Sequence, residues 1–190
     1  MECTAAFARR SEMPRSSGPY HPGMTMTPPS SATSDPIVHA RIVSAPLATS
    51  SPSNHGDLDA NRGGATCTFE GITRPETHPE HGDLVALRYE AAEPLATNRM
   101  KNLAAEIAQR HSLHRITVEH AIGEVTVGES SVRITTVADH REAAFVACRE
   151  MIDRLKSEIP IWKQECWITG STWSASTSPL PEANSEEPIR

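Results

Sequence analysis

Asp139-His140-Arg141-Glu142 opens, and Pro160-Ile161-Trp162-Lys163-Gln164-Glu165 closes, the run DHREAAFVACREMIDRLKSEIPIWKQE, residues 139–165. It reads as a capped helix, a proline stop and a strand that carries a lysine. Asp139 is a suitable N-cap, and Glu142 stands three residues on, where a capping box places its acid. Phe145, Cys148, Ile152 and Leu155 then recur at helical spacing, widened by Ala144 and Met151, and predict an apolar stripe lying on a sheet. Pro160 forbids the helix from continuing. From Ile161 to Ile168 the pattern alternates, with Trp162, Cys166 and Ile168 in the even, inward phase and Lys163 and Glu165 in the odd one. His140 and Arg141 sit in the first turn, where free N–H groups and the helix dipole favour an anion. Lys156 sits in the last turn.

Working outward, Val132, Ile134 and Thr136 predict a strand that runs up to Asp139, after a turn at Gly128-Glu129. Before it, Ile116 and Val118 give the inward positions of a strand that Gly123 should break. Pro94 suits the first turn of a helix whose stripe is Leu95, Met100, Leu103, Ala104 and Ile107, ending near Arg110. Leu84 to Ala91 reads as a strand with Val85, Leu87 and Tyr89 on one face. Gly63-Gly64-Ala65 opens another, with Cys67 and Phe69 on one side and Thr66 and Thr68 on the other. His39 to Val43 is the first strand. Strands and helices mix without a strict βαβ repeat, so an α+β fold in a single domain is expected.

Composition bounds the function. The chain has 190 residues and a formal net charge of -6, so the cations above form a local positive site on an acidic protein. That suits a small anion or an acidic carboxyl tail, and not nucleic acid. Its four cysteines, Cys3, Cys67, Cys148 and Cys166, form no CxxC pair; Cys148 and Cys166 read as small buried hydrophobes in a reducing compartment. His78 and His81 form an H-x-x-H pair that no further ligand completes, so no metal and no cofactor are expected. No apolar run is long enough to span a membrane and no secretory signal is present, which points to the cytoplasm. Ser, Pro and Thr dominate residues 1–35, which predicts a disordered extension, and residues 176–190 read as a loose tail. The folded domain is expected over 36–175.

The run 139–165 resembles the signature of the molybdopterin synthase large (catalytic) subunit family: a His-Arg pair, an Ala-Phe in the next helix, Asp-x-Leu-Lys, and Pro-x-Trp-Lys-x-Glu, in order and at matching spacing. Gly64-Ala65-x-x-x-Phe69-x-Gly71-x-x-Arg74 is similar to the family's first motif, Tyr89-Glu90 matches a second, and Gly170-x-x-Trp173 its ending. His120 and Gly123 resemble a His-Arg-x-Gly motif, with Ala121 where Arg is usual. Without the resemblance, Arg74 before a Pro-rich loop reads as a solvated arginine.

The resemblance implies an α/β hammerhead-type fold with an additional antiparallel sheet. It implies a sulfurtransferase that turns cyclic pyranopterin monophosphate into the molybdopterin dithiolene. Sulfur would arrive as a thiocarboxylate on the C-terminal Gly-Gly of a small ubiquitin-like sulfur-carrier subunit, within a heterotetramer built on a homodimer. Carried over by position, Lys156 and Lys163 are the catalytic groups, and Ile72, Thr73, Arg74, His140, Arg141, Gln164 and Glu165 bind substrate. A lysine partly desolvated among other cations has its pKa drawn toward neutrality, which suits proton transfer. Ala121 motivates an alternative: a non-catalytic member that binds or regulates a small Gly-Gly-ended protein. Read without the family, the chain is an α+β domain binding a phosphorylated metabolite, an acyltransferase with a lysine acid/base.

Overall fold

The computed structural model describes residues 35–48 and 63–174. The expected extension over 1–35 (save Asp35), most of the connection after residue 48, and the tail 176–190 lie outside the described residues.

Among the described residues eight strands and two helices follow one another: β1 (Ile37–Ser44), β2 (Ala65–Ile72), β3 (Thr77–His78), β4 (Gly82–Ala91), α1 (Glu93–Arg110), β5 (Arg115–Thr126), β6 (Ser130–Ala138), α2 (Arg141–Glu158), β7 (Ile161–Trp167) and β8 (Gly170–Trp173). The strands join in the order β2-β6-β5-β4-β7-β8, with β1 on β5 and β3 on β4. The β1–β5 pairing is parallel and the other described pairings are antiparallel. This is the expected α+β fold: a mixed sheet, two helices and a further antiparallel sector.

β5 ties the two sectors together. Its first half, Arg115 to His120, pairs with β6 while β1 runs along its other edge; from Gly123 onward it pairs with β4. Gly123 therefore does not end the strand, as its type suggested, but turns it at φ +96°, a conformation that L side chains rarely adopt. Both helices cover one face of the first sector, α1 on β1 and β5, α2 on β6 and β2. Met100, Ile107, Ile116, Val118, Ile134 and Met151 fill the space between, each fully buried.

Several positions depart from the sequence reading. Phe145 is 57% exposed, and the stripe of α2 is Ala144, Ala147, Cys148, Met151, Ile152 and Leu155. Two small residues where the helix meets the sheet allow close approach, and a phenyl ring there would hold it off. Leu95 is likewise exposed on α1, with Ala96 taking its inward place. Val85 faces solvent because a register irregularity between Leu84 and Ala86 shifts the alternation of β4. The N-cap of α2 is His140, in extended conformation and without a side-chain cap. Asp139 instead accepts from His114 Nε2 at 2.7 Å. The start of α2 is held by Thr136, whose Oγ1 donates to Ala144 O at 2.8 Å. No helix among the described residues is long and apolar enough to cross a membrane.

Candidate active site

Where the two sheet sectors diverge, a cleft of ≈ 440 Å³ opens under the C-terminal half of α2. Three chain segments bring cations to it. Arg74 follows the end of β2, Lys156 comes from the last turn of α2, and Lys163 from β7 beyond the proline. Ile72 and Glu165 also line it. Five of the nine residues singled out from the sequence thus share one cavity.

Local structure explains the convergence. Gly71 lets β2 close on β6: a Cβ there would lie 2.6 Å from Val132 Cγ1. The register then shifts between Gly71 and Ile72, where β2 ends against Ser130, and Ile72 lines the cleft. Helix α2 stops at Glu158, Pro160 turns the chain, and β7 runs back beside β4 with Lys163 opposite Tyr89. The side chains of β7 that enter the cleft are Ile161, Lys163 and Glu165. The odd phase is therefore the inward one, against the alternation expected from the sequence, and Ile168 is 65% exposed. A lysine and a glutamate face inward on that strand because the cleft, not the apolar core, receives them.

The charged groups have defined partners. Lys163 Nζ lies 3.5 Å from Glu165 Oε1, both side chains about two-thirds or more shielded. Glu165 is held in turn by Thr172, whose hydroxyl donates to Oε2 at 3.4 Å while accepting from Trp167 Nε1 at 2.9 Å. Arg74 is exposed and its Nε donates to Glu76 Oε1 at 2.7 Å. Lys156 is exposed and makes no ion pair among the described residues.

The other four expected residues lie elsewhere. Thr73 is 2% exposed, its backbone bonded to Gly128 and Glu129 and its Oγ1 without a partner among the described residues. Gln164 projects from the opposite face of β7 and donates to Ser171 Oγ at 3.0 Å. His140 and Arg141 stand at the far end of α2. At 1.5 Å rise per residue, about 22 Å of helix separates Arg141 from Lys156. Within one chain they do not join the cleft.

Two cleft residues were motif positions in the sequence reading but were assigned no part in the site. Tyr89 and His120 stand edge to face, ring centroids 5.0 Å apart. A signal for His120 existed: it continues the inward phase of Ile116 and Val118. Ala121, the departure from the family motif, is fully buried between Leu47 and Val125 and does not line the cleft. Successive strand residues face opposite ways, so its type leaves the cleft beside His120 unchanged.

Among the described residues no three His, Cys, Asp or Glu side chains gather as a metal site. His78 and His81 stack on one another at 4.7 Å, with His78 against Trp167. Burial, aided by neighbouring Cys67, pushes the Cys148 thiol up to about 12, so it is an inert core residue.

Residues 42–158 match the MoaE protein family, and that match covers more than half of the chain. The chain belongs to the MoaE family. It is 43% identical over 110 residues to a molybdopterin synthase catalytic subunit of Oryza sativa subsp. indica, covering 58% of this chain and 56% of that one. A molybdopterin synthase catalytic subunit of Bacillus subtilis is 35% identical over 116 residues, 61% of this chain and 73% of its own. The chain thus spans little more than half the length of the rice relative. In three dimensions it is similar to the crystal structure of molybdopterin synthase from Staphylococcus aureus, with a TM-score of 0.62 and 29% identity over 70% of this chain and 95% of that one. The hammerhead-type fold expected from the resemblance is thereby the fold of this MoaE family member.

Proposed function

We propose that the chain is the catalytic subunit of a molybdopterin synthase. It transfers sulfur from the thiocarboxylated C-terminus of a small ubiquitin-like carrier to cyclic pyranopterin monophosphate, forming the dithiolene. The observation that carries this reading is the meeting of Arg74, Lys156 and Lys163 in one cleft, on a chain of net charge -6. Both reactants are anions, a phosphate and a thiocarboxylate, and need fixed cations at one place.

Lys156 is the principal catalytic group. It is free of carboxylate partners among the described residues, so it can meet an incoming anion and move a proton as the ring opens. Lys163 assists, oriented by Glu165. Arg74 and Ile72 contact substrate. Thr73 and Gln164 support the binding segments from behind, through the turn at Gly128 and through Ser171.

His140 and Arg141 act on the same substrate only from a second copy of the chain, because of the 22 Å of helix, roughly, that separates them from Lys156. This fits a homodimer with a carrier subunit at each end, acting in the cytoplasm. A single-turnover assay with thiocarboxylated carrier and cyclic pyranopterin monophosphate tests the reading. Product should form with the unaltered chain, and Lys156→Ala and Lys163→Ala should each lower the rate at least about a hundredfold with the fold intact. Near-normal rates in both variants would sink the proposal.

A further inference from the structure

The most buried polar side chains of the cleft, His120 and Ser131, are not among its cations. His120 is 5% exposed and lies on the cleft wall. Its Nδ1 stands 2.8 Å from Ala121 O. A carbonyl only accepts, so Nδ1 carries the proton and Nε2 keeps a lone pair. Burial presses the imidazolium pKa down to about 4, which leaves the ring neutral at working pH. Beside it the Tyr89 phenol is also neutral, its pKa raised first by burial, and its hydroxyl is hydrogen-bonded with Ser131, a partner it would exchange for a ligand. Phe69 and Leu87 line the same cavity and give a flat ring apolar surface. The inner part of the cleft thus offers one neutral acceptor and one neutral donor, while the charges lie nearer its mouth.

We propose that Tyr89 and His120 are specificity-determining residues that read the lactam edge of a pterin ring. His120 Nε2 accepts the ring N–H, the Tyr89 hydroxyl donates to the adjacent carbonyl, and Arg74, Lys156 and Lys163 hold the anionic group. This rests on the function proposed above, which supplies the pterin. The division of labour has a physical basis. Cations bind any phosphate and cannot tell one heterocycle from another, whereas a paired neutral donor and acceptor reject a ring that lacks the matching edge.

The test is titration of the full chain with neopterin, a phosphate-free pterin, followed by its fluorescence, and separately with inorganic phosphate. Tyr89→Phe and His120→Phe should each weaken neopterin binding at least tenfold and leave phosphate binding within twofold. Neopterin affinity of the unaltered chain should stay level from pH 7 to pH 5.5, because neither the acceptor nor the lactam N–H of the probe titrates there. Unchanged neopterin affinity in the folded variants overturns the proposal, as does a loss of affinity centred near pH 6.5. Tyr89→Phe removes one hydroxyl and decides the matter should His120→Phe fail to fold. Normal sulfur transfer by both variants overturns this inference and leaves the sulfur-transfer reading standing. Specific neopterin binding by a chain that makes no product does the reverse.

Discussion

Ala121 shows how much a single position depends on its neighbours. The resemblance expects an arginine there, yet Leu47 and Val125 seal the site and leave the alanine no exposed surface. Ala121→Arg should therefore gain no substrate contact. It forces a guanidinium and two further methylenes into a closed apolar cluster, and should lower stability by about 3 kcal/mol or more, read from urea unfolding. A variant as stable as the parent and faster in turnover would overturn this account. Phe145 and Met151 make a second contrast on α2. Met151→Ala should destabilise by about 2–5 kcal/mol, because Met151 is fully buried. Phe145→Ser should change the stability of dilute protein by no more than about 0.5 kcal/mol, since the ring is exposed. Periodicity pointed to Phe145 because residues on both flanks of an apolar stripe satisfy helical spacing. Which flank faces the sheet depends on how near the helix lies to it, and that distance is a property of the pair.

Among the elements, β5 and α2 carry most of the architecture. The turn of β5 at Gly123 moves it from one sheet partner to the next. A Cβ at Gly123 meets only Ala45 Cβ, at an ordinary 3.7 Å, so sterics with neighbours are not the obstacle. Gly123→Ala should still cost about 1–2 kcal/mol for the positive φ alone, visible as a lower urea midpoint with an unchanged slope. Across the outer faces of the helices runs an ionic network. Glu150 on α2 meets Arg110 and, through Oε2, His111 Nε2 at 2.7 Å, while Arg154 reaches Glu106 and Glu158. The His111 hydrogen bond, more than any other influence, holds the Glu150 carboxyl below its ordinary 4.5. A depressed carboxylate stabilises the fold above its unfolded pKa and loses that contribution as pH falls through the folded one. Glu150→Gln should thus lower stability at pH 7 by about 1 kcal/mol, and the gap should narrow as pH falls below the ordinary carboxylate value and through the depressed folded one. A gap that does not narrow on acidification would assign the effect to packing.

For the whole molecule, the separation along α2 is decisive. One end presents His140 and Arg141, the other Lys156, and a straight helix keeps them apart. If one substrate needs both ends, two copies must cooperate. Mixtures of Arg141→Ala and Lys163→Ala chains should then regain activity that neither has alone. In a random mixture half of the dimers are mixed, and each of those carries one intact site, so about a quarter of full activity is expected, a ceiling that follows from two-fold symmetry. Mixtures as inactive as the separate variants would confine catalysis to one chain.

The chain alone was enough to announce its elements and its chemistry. Pro160, the alternation through Ile116 and Val118, and the run of Met100, Leu103, Ala104 and Ile107 act over a few residues, and such patterns survive in one dimension. Lys163 stood out locally as a charge in an apolar strand, whereas Arg74 and Lys156, each a solvated cation when read alone, became candidates only through the family resemblance. Folding alone settled that these three meet while His140 and Arg141 stand apart, that β7 turns its lysine inward, and that Tyr89 and His120 share the cleft with them. Those facts depend on strand register and on the close approach of helix to sheet. Both are set by contacts between segments far apart in the chain, for which a linear pattern carries no distance.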